Sequence, residues 1–203
     1  EVLGHEGAVE VLCIGDKIKT PFPYRVDAAV VYPTTLSGDG LKQAVHAAKD
    51  GALALGLTSF AAHVELAMTK DGPRLFELGA RFGGGHTASH ILPQVTGRKY
   101  LQDHVRILLG DGIDIIPAPL SRGCVYKFLL PQPGLVSHVT GLDEVLQMEG
   151  VLDAGVFVGP GTTISTVKTG LDRAGFIVTG MDSREEALDL SRKAEATIQF
   201  HYQ

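Results

Sequence analysis

The stretch 60-FAAHVELAMTKDGPRLFELGARFGGG-85 decides how this chain folds. From Phe60 to Met68 the pattern alternates: Val64, Leu66 and Met68 share one face, and Ala61, His63, Glu65 and Ala67 share the other, the period of a half-buried strand. Thr69 to Pro73 holds Asp71-Gly72 and makes a five-residue turn. Arg74 to Gly79 is the returning strand, with Leu75, Glu77 and Gly79 on one face, and Arg81-Phe82-Gly83-Gly84-Gly85 follows it.

A hairpin symmetric about Asp71 sets Glu65 opposite Glu77, with Cβ atoms roughly 5 Å apart on one face. Like charges there repel, so the pair calls for a shared proton or a cation between the carboxylates. Two carboxylates with few other ligands suit Mg2+, a hard ion that keeps several waters and completes its shell from phosphates. Zinc would want histidine or cysteine in a tighter group. Arg81 can stabilise charge on a transferring phosphoryl group. The glycines let backbone amides approach an anion, and a helix start beyond them adds a favourable dipole. The residues alone equally fit an exposed glutamate pair on a solvent-facing hairpin and a glycine triplet that only turns the chain. A bulge would also break the register.

Outward from this hairpin, Val9, Val11 and Cys13 alternate with Ala8, Glu10 and Leu12, and Gly15-Asp16 turns the chain, which predicts a strand and hairpin. Ala28 to Tyr32 is a further strand, stopped by Pro33. Ser37 and Asp39 are N-cap candidates for a helix that carries Leu41, Ala44, Val45, Ala48, Ala52 and Leu55 on one stripe, with Gly56 at C′. Beyond the glycines a helix is interrupted at Pro93. Another spans about Lys99 to Leu109, with Leu101, Val105 and Leu108 inward, and Asp111-Gly112 ends it. The chain divides near Gly110 to Pro119, giving parts 1–112 and 113–203. The second part predicts strands at 123–130, 135–139, 155–158 and 175–179, with Val125, Tyr126 and Phe128 in its core. Its last helix starts at Ser183, which forms a capping box with Glu186, and Ala187, Leu190, Ala194 and Ile198 make the apolar stripe. The fold class is mixed α/β of the α+β type.

Of 203 residues, 44% are apolar and 20% charged, enough for a sizeable core and too apolar for disorder. A net charge of −5 without Lys/Arg clusters argues against a nucleic-acid partner. No apolar run spans a membrane and no signal peptide is visible. Cys13 and Cys124 sit in apolar runs and read as buried thiols, and without a cysteine framework the expected compartment is the reducing cytoplasm. The chain opens on Glu1, which leads to the expectation that it starts inside a longer reading frame.

Glu65, then Glu77-Leu78-Gly79-Ala80-Arg81-Phe82-Gly83-Gly84, resembles the metal-binding hairpin of the ATP-grasp superfamily, where an acidic residue on one strand precedes Glu-x-Asn-x-Arg and glycines on the next. Gly4-His5-Glu6-Gly7-Ala8-Val9-Glu10 is similar to the superfamily's Gly-x-Glu…Val-Glu strand. The match runs in register over about residues 1–110. Gly79 is a departure, since it replaces a metal-ligating Asn and leaves the number of metal ions open. In the second part, Gly134-Leu135-Val136, Gly141-Leu142-Asp143-Glu144, Gly150-Val151, 170–180 and Glu186-Ala187 resemble the C-terminal module of the L-amino-acid ligase branch.

The resemblance implies the C-terminal lobe of an ATP-grasp domain, an antiparallel sheet with packed helices over 1–112, followed by a small α+β subdomain over 113–203. It implies ATP and Mg2+, with Mn2+ as a substitute ion, and an acylphosphate that joins a small carboxylate to an amine. Glu65 and Glu77 would hold the metal, Arg81 would be catalytic, Glu6 would hold the ribose, and Phe76 would pack on adenine. Gly83, Gly84, Gly85 and His86 would border the acyl-acceptor pocket. Phosphate-gripping lysines and the adenine hinge belong to an N-terminal lobe that would precede Glu1, so the chain alone is expected to be inactive. A homodimer is left open. Competing expectations are a carboxylase-type or carbamoyl-phosphate-type enzyme using bicarbonate, and a non-catalytic interaction or dimerisation module. His86 and His90 have a spacing zinc can use, but no third ligand is evident. His63 shares a face with Glu65, as strand filling or as support for the site.

Overall fold

The computed structural model describes residues 1–203 except Ile113, Pro117 and Ser121. In chain order the strands are β1 (Val2–His5), β2 (Ala8–Val11), β3 (Asp16–Lys19), β4 (Asp27–Tyr32), β5 (Phe60–Thr69), β6 (Gly72–Gly79), β7 (Gly123–Leu129), β8 (Gly134–Thr140), β9 (Val151–Val156), β10 (Thr163–Ile164), β11 (Gly175–Met181) and β12 (Gln199–Tyr202). The α-helices are α1 (Gly38–Ala54), α2 (Leu92–Thr96), α3 (Tyr100–Leu108), α4 (Leu142–Leu146) and α5 (Arg184–Thr197). The strands and helices pack as two compact units, Glu1–Ile14 with Thr34–Leu120, and Gly15–Pro33 with Ser121–Gln203. The class is the mixed α/β type expected, with antiparallel pairing throughout the described strands.

The first unit is a four-stranded sheet in the order β2-β1-β5-β6. Glu6 and Gly7 turn β1 into β2, both at positive φ (49° and 87°), the backbone a tight two-residue hairpin needs. The partner of β2 is therefore β1, and Gly15-Asp16 is not its turn: Asp16 opens β3 instead. Helix α1 covers one face of the sheet. Its Ala48 and Ala52 pack with Val2, Val9, Phe60 and Ala62, joined by Val64 and Leu78. Small side chains let this helix approach closely, and a Cβ on Gly51 would stand 2.4 Å from Leu75 Cδ2. Ser37 takes the N-cap position in extended backbone, and Gly56 follows the helix at φ 72°. Leu55, expected on the buried stripe, is exposed because it caps the helix beyond the last turn over the sheet.

After β6 come a π-helical turn, Thr87–Ile91, and α2, where Pro93 sits in the first turn and so costs no helical hydrogen bond. On α3 the expected inward residues are outward: Leu101, Val105 and Leu108 are 44%, 48% and 65% exposed. Tyr100 and Ile107 are buried in their place. The Tyr100 hydroxyl donates to Ile116 O (3.0 Å) and accepts from Ala118 N (2.9 Å), which anchors the helix by that edge and turns the leucines to the surface.

The second unit holds a five-stranded sheet, β3-β4-β7-β11-β9, and a three-stranded one, β10-β8-β12. Residues 15–33 belong here, although a single boundary at 112/113 assigns them to the first part. Strand β4 pairs with β7 from Ala29↔Lys127 to Tyr32↔Cys124, and Ala29 and Val31 share a core with Val125 and Ala187. Arg184 donates to Val31 O (2.9 Å) and to Asp16 (2.9 Å). Helix α5 has the expected capping box: Ser183 Oγ accepts from Glu186 N (3.2 Å), and the Glu186 carboxylate accepts from Ser183 N (3.0 Å). Short α4 and edge strands β3, β10 and β12 were not expected, and β9 begins at Val151 rather than Gly155. Cys13 and Cys124 are buried and are not joined in a disulfide. Among the described residues no helix is long and apolar enough to cross a membrane.

Candidate active site

The candidate site lies in the first unit, on the face of the sheet that α1 leaves open. Strands β5 and β6 pair Glu65 with Glu77, Val64 with Leu78 and His63 with Gly79. The hairpin is not symmetric about Asp71, however. Its turn is Lys70-Asp71 between paired Thr69 and Gly72, not five residues, and from Leu66↔Leu75 onward the register is shifted by one. Phe76 is the extra residue of a β-bulge. The shorter turn and the bulge offset each other, so the two glutamates still face one another. Thr69 holds the turn: its Oγ1 donates to Gly72 O (2.7 Å) and accepts from Asp71 N (3.2 Å).

The bulge also sets the faces. Leu75 and Leu78 both approach Gly51 of α1, although an unbroken strand would put residues three apart on opposite faces. The residues between them, Phe76 and Glu77, are left together on the open face. Phe76 is 60% exposed. Among the described residues Glu77 makes no ion pair or side-chain hydrogen bond.

Glu65 is held from behind. His63 stands two residues earlier on the same face, and its Nε2 lies 3.3 Å from Glu65 Oε1. His63 Nδ1 contacts Glu1 Oε1, and Gly83 N donates to Glu1 Oε2 at 2.9 Å. The side chain of Glu1 is 1% exposed, and those of His63 and Glu65 are 21% and 17%. Both imidazole nitrogens face carboxylate oxygens, and a doubly protonated ring can donate to both. The hydrogen bond to Glu1 raises the His63 pKa above the ordinary imidazole range, against its burial. Burial would push the Glu1 carboxyl up, and the hydrogen bonds from His63 and the Gly83 amide act against it in favour of the ionised form.

Arg81 completes the group. It is exposed, donates from Nη1 to Phe82 O (3.0 Å), and folds back over Gly79: a Cβ there would stand 3.6 Å from the guanidinium carbon. Gly79 faces His63 in the register, so Arg81 lies on the side of Glu77. At Gly83 a Cβ would meet Glu1 Oε1 and His63 Nδ1 at 2.7 Å each, which is why this loop position is glycine. Thr87 Oγ1 donates to Gly84 O (2.7 Å), and Gly85 and His86 take positive φ (64° and 65°) into the π-helical turn. His86 thus precedes that turn rather than lying in a regular helix. Its ring meets that of His90 with centroids 5.1 Å apart.

Glu6 is not gathered with these residues. It sits exposed at the tip of the β1–β2 turn, and the register sets Gly4 opposite Phe60, five residues before Glu65, roughly 17 Å along the strand. Glu65, Glu77 and Arg81 thus come together on this hairpin, with His63, Glu1 and Gly83 linked behind Glu65: carboxylate oxygens beside a guanidinium. Such oxygens fit a hard divalent cation. Glu1 escaped sequence reasoning because its partner lies sixty-two residues away. His63 was visible only as a neighbour of Glu65 on the same strand face.

Residues 127–203 match the family of the L-amino acid ligase C-terminal domain 2. A solved L-amino acid ligase from Bacillus licheniformis superposes with a TM-score of 0.86 at 27% identity, over 100% of this chain and 50% of that one. An uncharacterised protein of Sinorhizobium fredii is 24% identical over 198 residues, 98% of this chain and 40% of its own length. Carnosine synthase 1 of Homo sapiens is 30% identical over 130 residues, 64% of this chain and 14% of its own length. The chain spans half or less of each of these relatives.

Proposed function

The chain is the C-terminal portion of an ATP-grasp fold with an L-amino acid ligase C-terminal module, and on that premise we propose that it supplies one side of the active site of an ATP- and Mg2+-dependent ligase that joins an amino acid or similar small carboxylate to an amine. The observation that carries this is the cross-strand alignment of Glu65 with Glu77 beside Arg81. Glu65 and Glu77 would hold Mg2+, which when bound neutralises charge on the β- and γ-phosphates of ATP. Arg81 stabilises the phosphoryl group in transfer and then the oxyanion of the tetrahedral intermediate. Phe76, beside Glu77 on the open face, offers its ring to adenine. Gly83 to Gly85 and His86 border the acyl-acceptor pocket. For Glu6 as the ribose ligand, the support is the Gly-x-Glu pattern alone.

In this reaction the substrate carboxylate attacks the γ-phosphorus and ADP leaves. The amine attacks the acyl carbon of the acylphosphate, loses a proton, and phosphate departs as the amide forms. Lysines that grip the phosphates and the adenine hinge would come from a separate N-terminal lobe. The share of its relatives that this chain spans is in keeping with such a lobe. The test is phosphate release by the intact protein across a panel of amino acids, with and without a second amine. We expect release that needs ATP, Mg2+ and an acceptor pair, and a kcat about 100-fold lower or worse in E77Q. No release with any pair overturns the amino-acid ligase. Release driven by bicarbonate instead would mark a carboxylase-type enzyme, and an E77Q variant equal to the native protein would mark a non-catalytic module.

A further inference from the structure

We propose that His63 is a positioning residue, which, held by Glu1, fixes Glu65 for cation binding and ties it to the glycine loop at Gly83. The inference rests on Glu65 and Glu77 being the metal carboxylates.

The geometry is a continuous chain: the Gly83 amide donates to one oxygen of Glu1, the other oxygen of Glu1 meets His63 Nδ1, and His63 Nε2 meets Glu65. A carboxylate with 1% of its side chain exposed is costly unless each oxygen is satisfied, and here both are. Glu1 therefore has one geometry, and it dictates the plane of the His63 ring. The ring in turn engages Oε1 of Glu65, which fixes the plane of that carboxylate opposite Glu77. Ligands oriented by such hydrogen bonds bind metal more tightly, because no rotamer freedom is lost on binding. Gly83 closes the chain sterically, since a Cβ there would strike both Glu1 and His63. The loop that follows Arg81 and the carboxylate across from Glu77 are thus built on the same buried pair.

The test is Mn2+ affinity of the intact protein, with and without ADP, read by electron paramagnetic resonance, with the melting temperature as a check on folding. H63A is expected to weaken Mn2+ binding about 10- to 100-fold, with ADP affinity in the absence of metal unchanged. E1Q should weaken it less, and the double variant should match H63A alone, because Glu1 acts through His63. If H63A does not fold, H63Q decides: its amide reaches only one of the two carboxylates, so an intermediate loss is expected. Folded H63A, or H63Q in its place, with native Mn2+ affinity overturns the proposal, as do additive effects of E1Q and the histidine substitution. E77Q separates the two levels. If E77Q abolishes Mn2+ binding while H63A does not weaken it, only the role of His63 fails. If E77Q binds Mn2+ as the native protein does, the metal site itself fails.

Discussion

Cys13 shows what full burial does to a single group. It lies on an apolar run of the first unit, and burial pushes its thiol up to about 11. Cys124 is equally enclosed at 0% exposure. Only the thiolate reacts readily with disulfide reagents. Both cysteines should therefore label slowly in the native protein at mildly alkaline pH and completely once it is denatured, which a colorimetric thiol titration reads directly. This burial was legible in the sequence, because both cysteines sit among alternating apolar residues. Glu1 was not legible. A lone glutamate just before a strand reads as solvent-exposed, and only the fold brings His63 and Gly83 to its two oxygens.

At the scale of elements, the β5–β6 hairpin carries the function proposed here. Its two glutamates align because a two-residue turn and a one-residue bulge cancel. Removing the bulge residue should keep the pairs Glu65↔Glu77 and Leu66↔Leu75, and keep Leu75 and Leu78 on α1. A protein lacking Phe76 is thus expected to fold and bind Mn2+ as before, but to bind ADP about tenfold or more weakly for loss of the aromatic face. Calorimetric titration with each ligand separately checks this; equal loss of both would mean that the bulge is structural. The α3 helix makes the complementary point. Its period of leucines was plain in the sequence, but periodicity says only that one face is apolar, not which face the fold buries. Tyr100 decided that through its bonds to Ile116 and Ala118.

At the scale of the whole molecule, the segment 15–33 leaves the first unit to join the second. Asp27 ties together the β3–β4 hairpin within that segment, with Lys17 Nζ donating to it at 3.0 Å and Lys19 on its other oxygen. Burial would raise the Asp27 carboxyl, but the two lysines outweigh it and hold the group below its usual range. A carboxylate depressed by folding adds stability above its unfolded value, about 3.9, and loses it as pH falls through the folded value. D27N should lower stability at neutral pH by about 1 kcal/mol or less, since the pair is partly screened by water. Thermal melts should show that difference closing in acid; a constant gap would refute the electrostatic origin.

By itself the sequence determined the mixed fold, the β5–β6 hairpin with Glu65 opposite Glu77, and the capping box of α5. Each of these rests on contacts between near neighbours: strand alternation, a short turn, a cap bonded three residues on. Tertiary structure alone decided the outward face of α3, the unit that claims residues 15–33, and the Glu1–His63–Glu65 chain. Those depend on groups far apart in sequence meeting in a packed, water-poor interior, where a buried polar atom is costly without a partner.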